Sequence, residues 1–120
     1  MLEKRNFYIN GKWVSPSKPN DFEVINPSNE DPFAIISLGS KEDADKAINA
    51  AKIAFETWRE TTKEERLQLL EKFDEIYNRR WDEMVKAQST EMGAPLDYAS
   101  ETHTKMGADI SKNTIKILKD

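Results

Sequence analysis

The sequence predicts an α/β fold in which two β-hairpins lead into three or four α-helices. Three observations predict it. An Asn-Gly pair sits between two short β-forming runs, the apolar spacing changes from every second residue to about every 3.6 residues at Ser40, and two helix-capping patterns follow, Ser40 with Asp43 and Thr62 with Glu65.

The first hairpin is Phe7-Tyr8-Ile9, Asn10-Gly11, Lys12-Trp13-Val14. Asn-Gly supplies the two positive-φ residues of a type I′ turn, and the flanks are β-formers. Ser15 to Asn20 carries two prolines and reads as a loop. Phe22-Glu23-Val24-Ile25 and Phe33-Ala34-Ile35-Ile36-Ser37-Leu38 read as the strands of a second hairpin, joined by the turn-rich Asn26 to Pro32 and closed by Gly39. In the helical part, Ala44, Ala47, Ile48, Ala51, Ala54, Phe55 and Trp58 form one shallow stripe, suited to close packing on a sheet or another helix. Leu67, Leu70, Phe73, Tyr77, Trp81, Met84 and Val85 form a second, which the polar Asn78-Arg79-Arg80 divides into two helices. Gly93 is placed to cap a helix C-terminus and Pro95 to start the next. Leu96, Ala99, His103, Met106, Ile110 and Ile117 mark a third stripe, whose helix shows no stop signal before Asp120 and so reads as cut within a longer protein. The expected organisation of residues 1–120 is one segment: 1–6 a tail, 7–39 hairpins, 40–120 helical.

Composition narrows the function classes. The chain has 120 residues, 38% hydrophobic and 33% charged, with a net charge of −4. That length suits one domain, whose folding can bury roughly two-thirds of the unfolded surface if the apolar faces find partners. No basic stripe for phosphates is present, so nucleic acid is not an expected partner. No apolar run approaches the ~20 residues of a membrane span, and Met1 to Asn6 lacks the apolar centre of a secretion signal. The expected location is cytoplasmic, without a membrane partner.

The four glycines, Gly11, Gly39, Gly93 and Gly107, form neither G-x-G-x-x-G nor a P-loop, and there is no cysteine to act as nucleophile. His103 is the one histidine. No serine or cysteine stands at helix-neighbour spacing from it, so packing explains it better than catalysis. The acids Glu42, Asp43, Glu56, Glu60, Glu64, Glu71 and Glu75 lie off the apolar stripes and read as a solvated face. Of Trp13, Trp58 and Trp81, two fall on apolar stripes and read as core rather than as a ligand cage.

Taken in order, a set of phrases is more specific than any one motif. They are Tyr8-Ile9-Asn10-Gly11-Lys12-Trp13-Val14, Phe22-Glu23-Val24-Ile25-Asn26-Pro27, Leu38-Gly39, Phe55-Glu56-Thr57-Trp58, Glu65-Arg66-Leu67 and Glu91-Met92-Gly93-Ala94-Pro95-Leu96. From about Phe7 to the end they resemble the N-terminal portion of the NAD(P)-dependent aldehyde dehydrogenase superfamily. The resemblance implies a segment of a larger Rossmann-like cofactor-binding domain, in an enzyme several times longer that works as a homo-oligomer. Such enzymes capture an aldehyde on a cysteine as a thiohemiacetal, pass hydride to NAD or NADP and hydrolyse the thioester to a carboxylic acid. The cysteine, the glutamate that activates water, and the dinucleotide contacts lie downstream in the family. The resemblance therefore assigns no catalytic or cofactor-binding residue here, and the chain alone is expected to be inactive and to bind no cofactor.

Two sets of residues carry over. The carbonyls of Val24 and Ile25 with the Glu91 side chain match a monovalent cation site of many members, and Thr102 and Met106 match positions lining the substrate entrance. Asn29-Glu30-Asp31-Pro32 departs from the pattern by lacking the glycine common in that turn. Two alternatives stay open: a free-standing helical interaction module derived from the family, and a small cation-binding protein built on Val24, Ile25 and Glu91.

Overall fold

A computed structural model describes all residues from Met1 to Asp120, in two units, Met1–Glu60 and Thr61–Asp120. The first holds five strands, β1 (Leu2–Lys4), β2 (Phe7–Ile9), β3 (Lys12–Val14), β4 (Asp21–Ile25) and β5 (Pro32–Ser37), and the helix α1 (Lys41–Trp58).

Both hairpins form as the turn chemistry predicts. In β2–β3, Ile9 pairs with Lys12 across Asn10 and Gly11, whose φ angles of 52° and 73° are the left-handed pair of a type I′ turn. Tyr8 and Trp13 face each other edge-on, ring centroids 5.2 Å apart. The second hairpin pairs β4 with β5 antiparallel, with a bulge between Val24 and Ile25. Its turn is built by side chains: Asn26 Oδ1 accepts from Ser28 N, Asn29 Oδ1 accepts from Asp31 N, and Asn26 O accepts from Glu30 N. Glu30 takes φ 62° where glycine would be unstrained, so the turn forms without glycine at a cost of about 1–2 kcal/mol.

The expected tail contains a strand. β1 pairs parallel with β5, Leu2 opposite Ala34 and Lys4 opposite Ile36, giving a sheet in the order β1-β5-β4. Glu3 and Lys4 carry no β signal. The free edge of β5 supplies the pairing, and charged residues are what an outer strand usually shows. Arg5 Nε donates to Asp21 at 3.0 Å and ties the end of β1 to the start of β4. The central strand β5 buries Ala34 and Ser37, and Ser37 Oγ accepts from Asn20 N at 3.0 Å.

Helix α1 begins at the predicted capping box. Ser40 Oγ accepts from Asp43 N, and the Asp43 carboxylate accepts from Ser40 N at 2.9 Å and Ser40 Oγ at 2.8 Å. Asp43 also accepts from Ser17 N at 2.8 Å and is 5% exposed, so it is no part of a solvated face. The stripe on α1 is not covered within this unit: Ile48 is 67% exposed, Phe55 55% and Trp58 45%, which corrects the reading of Trp58 as core. Trp13 also stays exposed.

The second unit holds α2 (Lys63–Arg79), α3 (Trp81–Met92), the single turn α4 (Leu96–Tyr98), a π-helical segment (Ala99–Thr104) and α5 (Lys105–Lys119). Thr62 and Glu65 cap α2 reciprocally. Arg80, at φ −99° and ψ 22°, separates α2 from α3 where the polar break was expected. Gly93, at φ 69°, closes α3 with its N–H on Ser89 O, and Pro95 precedes α4. α2 and α5 run antiparallel: Tyr77, near the end of α2, reaches Thr104, while Lys63 at its start donates to Lys119 O.

The third stripe is only partly as read from sequence: Ala99 is buried and His103 half-buried, but the other positions are not. The buried residues are Ala99, Thr104, Ala108 and Ser111, while Leu96, Met106, Ile110 and Ile117 are exposed. A π turn takes more residues than an α turn, so a 3.6-residue count carried through Ala99–Thr104 arrives on a different face. No helix is long and apolar enough to cross a membrane.

Hydrogen bonds from Ser40 N and Ser17 N hold the Asp43 carboxyl well below the usual carboxylate range. A carboxylate whose folded pKa is depressed stabilises the fold above its unfolded value, about pH 4, and that stabilisation is lost as pH falls through the folded value. Acid titration followed by circular dichroism should show this loss in the native chain. Asp43→Asn should be less stable at neutral pH and flatter on the acid side; an unchanged acid limb in the variant would rule out this role for Asp43.

Candidate functional site

The residues singled out by sequence fall in both units. Val24 and Ile25 are consecutive on β4 in the first, at the bulge that interrupts the β4–β5 ladder. The extra residue is Phe33 of β5, skipped between Ala34 opposite Val24 and Pro32 opposite Ile25, so the ladder is locally irregular where these two carbonyls lie. Val24 is half-buried and Ile25 exposed. Glu91 belongs to the second unit, in the last turn of α3 before Gly93, with an exposed side chain.

Thr102 and Met106 lie on one continuous helical stretch, Thr102 in the π segment and Met106 in the first turn of α5. Thr102 is half-buried and Met106 is 56% exposed. Neither lines the open groove of about 560 Å³ between α3 and the following turns, which is bounded by Val85, Lys86, Ser89, Leu96, Asp97 and Ser100. His103, between them, is half-buried and meets Tyr98 edge-on, centroids 5.0 Å apart. This is a packed histidine, with no nucleophile hydrogen-bonded to it.

What fixes the π segment was not read from sequence. Tyr77 stands on α2 between Phe73 and Trp81, with ring centroids 6.0 Å and 6.4 Å away. Its hydroxyl donates to Thr104 O at 3.0 Å. A Cβ at Gly107 would lie 2.4 Å from that hydroxyl, so only glycine admits it. Trp81 Nε1 donates to Ser100 Oγ at 3.1 Å, a second tether on the same segment. The available signal was the spacing of Phe73, Tyr77 and Trp81 at i, i+4, i+8, together with a glycine inside a helix, which marks a close approach. Since π turns sit frequently at functional sites, the tethers matter for where Thr102 and Met106 stand.

The model of the aldehyde dehydrogenase family matches residues 13–120. A 3-succinoylsemialdehyde-pyridine dehydrogenase from a Pseudomonas species is 46% identical over 96 residues, 80% of this chain and 20% of that protein. The crystal structure of an aldehyde dehydrogenase from Bartonella henselae superposes with a TM-score of 0.98 at 55% identity, covering 99% of this chain and 25% of that one. A variant of aldehyde dehydrogenase C from Pseudomonas syringae, complexed with NAD+ and octanal, superposes with a TM-score of 0.94 at 33% identity, covering 97% of this chain and 24% of that one. The chain thus spans about a fifth to a quarter of the relatives it matches.

The Tyr77–Gly107 contact has a measurable signature. Tyr77→Phe should cost about 1 kcal/mol in denaturant unfolding, the effect of a lost hydrogen bond. Gly107→Ala should cost about 1–3 kcal/mol from overpacking. Removing the hydroxyl removes the 2.4 Å contact and leaves Cζ at 3.0 Å, so the overlap is eased and the double variant should lose less than the two costs added. Strict additivity would show that the two residues do not act on each other.

Proposed function

Because this chain belongs to the aldehyde dehydrogenase family, we propose that it serves as the N-terminal part of an NAD(P)-dependent enzyme that oxidises an aldehyde to a carboxylic acid, and that its own residues supply scaffold rather than bond-making groups. The observation that carries this reading is the close superposition on a dehydrogenase of which the chain spans 25%. Two further facts support it. The chain has no cysteine to capture a carbonyl, and Ile48 and Phe55 of the α1 stripe are exposed. A free-standing interaction module is disfavoured, since large exposed apolar patches are unusual on soluble monomers.

The nicotinamide, when bound to the whole enzyme, supplies a hydride acceptor. The residues present here do not fit that group. Gly11 serves a hairpin turn, Gly93 a helix cap and Gly107 a helix contact, and none belongs to a phosphate cradle. No step of the reaction is therefore derived through these residues.

Two auxiliary roles belong to the same proposal. The Val24 and Ile25 carbonyls serve as oxygen ligands to a monovalent cation, and Glu91 is a candidate acidic ligand, roles supported by the break in β4–β5 register beside Val24 and Ile25 and by the preference of such ions for hard oxygen ligands. Thr102 and Met106 form part of the wall of the substrate entrance, where a partly exposed methionine gives an adaptable apolar surface.

Purified chain mixed with NAD or NADP and an aliphatic aldehyde such as octanal should yield no reduced nicotinamide by absorbance. Turnover by the 120 residues would overturn the scaffold reading. Potassium titrated into the chain by calorimetry should give binding heat that Glu91→Gln reduces; equal heats in both proteins, or none in either, would remove Glu91 from a cation site.

A further inference from the structure

We infer that Asn10 is a site of spontaneous covalent modification, at which its side-chain amide is lost through a cyclic imide and the β2–β3 turn is rebuilt with an isoaspartyl link. The reaction needs three things: an asparagine carboxamide, an unhindered main-chain nitrogen after it, and water. Asn10 combines them as no other asparagine of the chain does. The other seven, Asn6, Asn20, Asn26, Asn29, Asn49, Asn78 and Asn113, precede Phe, Asp, Pro, Glu, Ala, Arg and Thr, and only Asn10 precedes glycine. A proline has no N–H to lose, and the other six place a side chain beside the attacking nitrogen.

The structure adds access and lability. Asn10 and Gly11 are both exposed, and a Cβ built on Gly11 would meet nothing within 4 Å. Both border an open groove of about 300 Å³ whose far side is Ala47, Ala50, Ala51 and Ala54 of α1, small side chains that leave room for water. The hairpin has strands of only three residues each and forms its own two-stranded sheet, so it opens locally at little cost. Opening matters because Asn10 is held at φ 52° in the closed turn, and the side chain must swing over the Gly11 nitrogen for the ring to close.

The step balances without any further reactant. The Gly11 amide gives up its proton, its nitrogen bonds to Asn10 Cγ, and the side-chain nitrogen leaves as ammonia. Water then opens the five-membered imide at either carbonyl, giving aspartate or isoaspartate. The isoaspartyl product routes the main chain through the former side chain and so lengthens it by one methylene. A two-residue turn cannot absorb that extra atom, so the Ile9–Lys12 pair that closes it is lost, and with it the Tyr8–Trp13 contact.

The experiment ages the purified chain in mildly alkaline buffer and follows it by peptide mass spectrometry, with fragment ions to separate Asn6 from Asn10 and enzymatic methylation to detect isoaspartate. Asn10 should convert before every other asparagine, with isoaspartate among its products. Amide hydrogen exchange over residues 7–14 should be faster in the converted fraction. Asn10→Gln, whose longer side chain can close only a six-membered imide and does so far more slowly, should leave that peptide unchanged on the same timescale; Gly11→Ala is the less suitable control, since it strains the turn itself. Conversion of another asparagine first, a product containing aspartate alone, or unchanged exchange in the isoaspartyl form would each overturn the inference.

Discussion

The Asp43 carboxylate receives two main-chain N–H groups and a hydroxyl, and through them joins three stretches of chain that share little apolar contact. It starts α1, fixes the exit from β5 at Ser40, and anchors the proline-containing loop at Ser17. The buried residues of the first unit are Ala34, Ser37 and Asp43. With so small an apolar core, polar bonds position the helix against the strands, and the sheet relies on Ser37 and Arg5 in the same way. The second unit repeats the theme. Its fully buried residues are small, and a tyrosine hydroxyl and an indole N–H hold the segment that a larger apolar side chain would otherwise pin.

Local chemistry was legible. The Asn-Gly turn, both capping boxes, the break at Arg80 and the Gly93 cap were each written in two to four adjacent residues, and each is where the sequence placed it. What depended on distant pairing was not. β1 exists because β5 offers it an edge, and nothing in Leu-Glu-Lys says so. The burial of Asp43 reflects a bond from Ser17, twenty-six positions away. Periodicity also failed at the π segment, because a count that assumes one helical pitch cannot see a change of pitch. The candidate site divides the same way. Val24, Ile25, Glu91, Thr102 and Met106 came from resemblance, whereas the tether that fixes the segment carrying Thr102 needed coordinates.

The exposed faces have a common character. Ile48, Phe55 and Trp58 on α1, and Met106, Ile110 and Ile117 on α5, stand on regular helical spacing, so they are organised surfaces rather than scattered residues. An organised apolar face is a demand for a covering layer. In relatives several times longer, there is ample chain to provide one.

The parallel pairing of β1 with β5 also has a consequence for synthesis. Leu2 to Lys4 leave the ribosome before their partners Ala34 to Ile36, which emerge some thirty residues later. The β2–β3 hairpin can close in the interval from its own sequence, while the first strand waits as an unpaired edge. The residues of β1 are thus made before their partner strand yet are among the last of the first unit to find their place, and their charges keep that waiting strand from recruiting a neighbour.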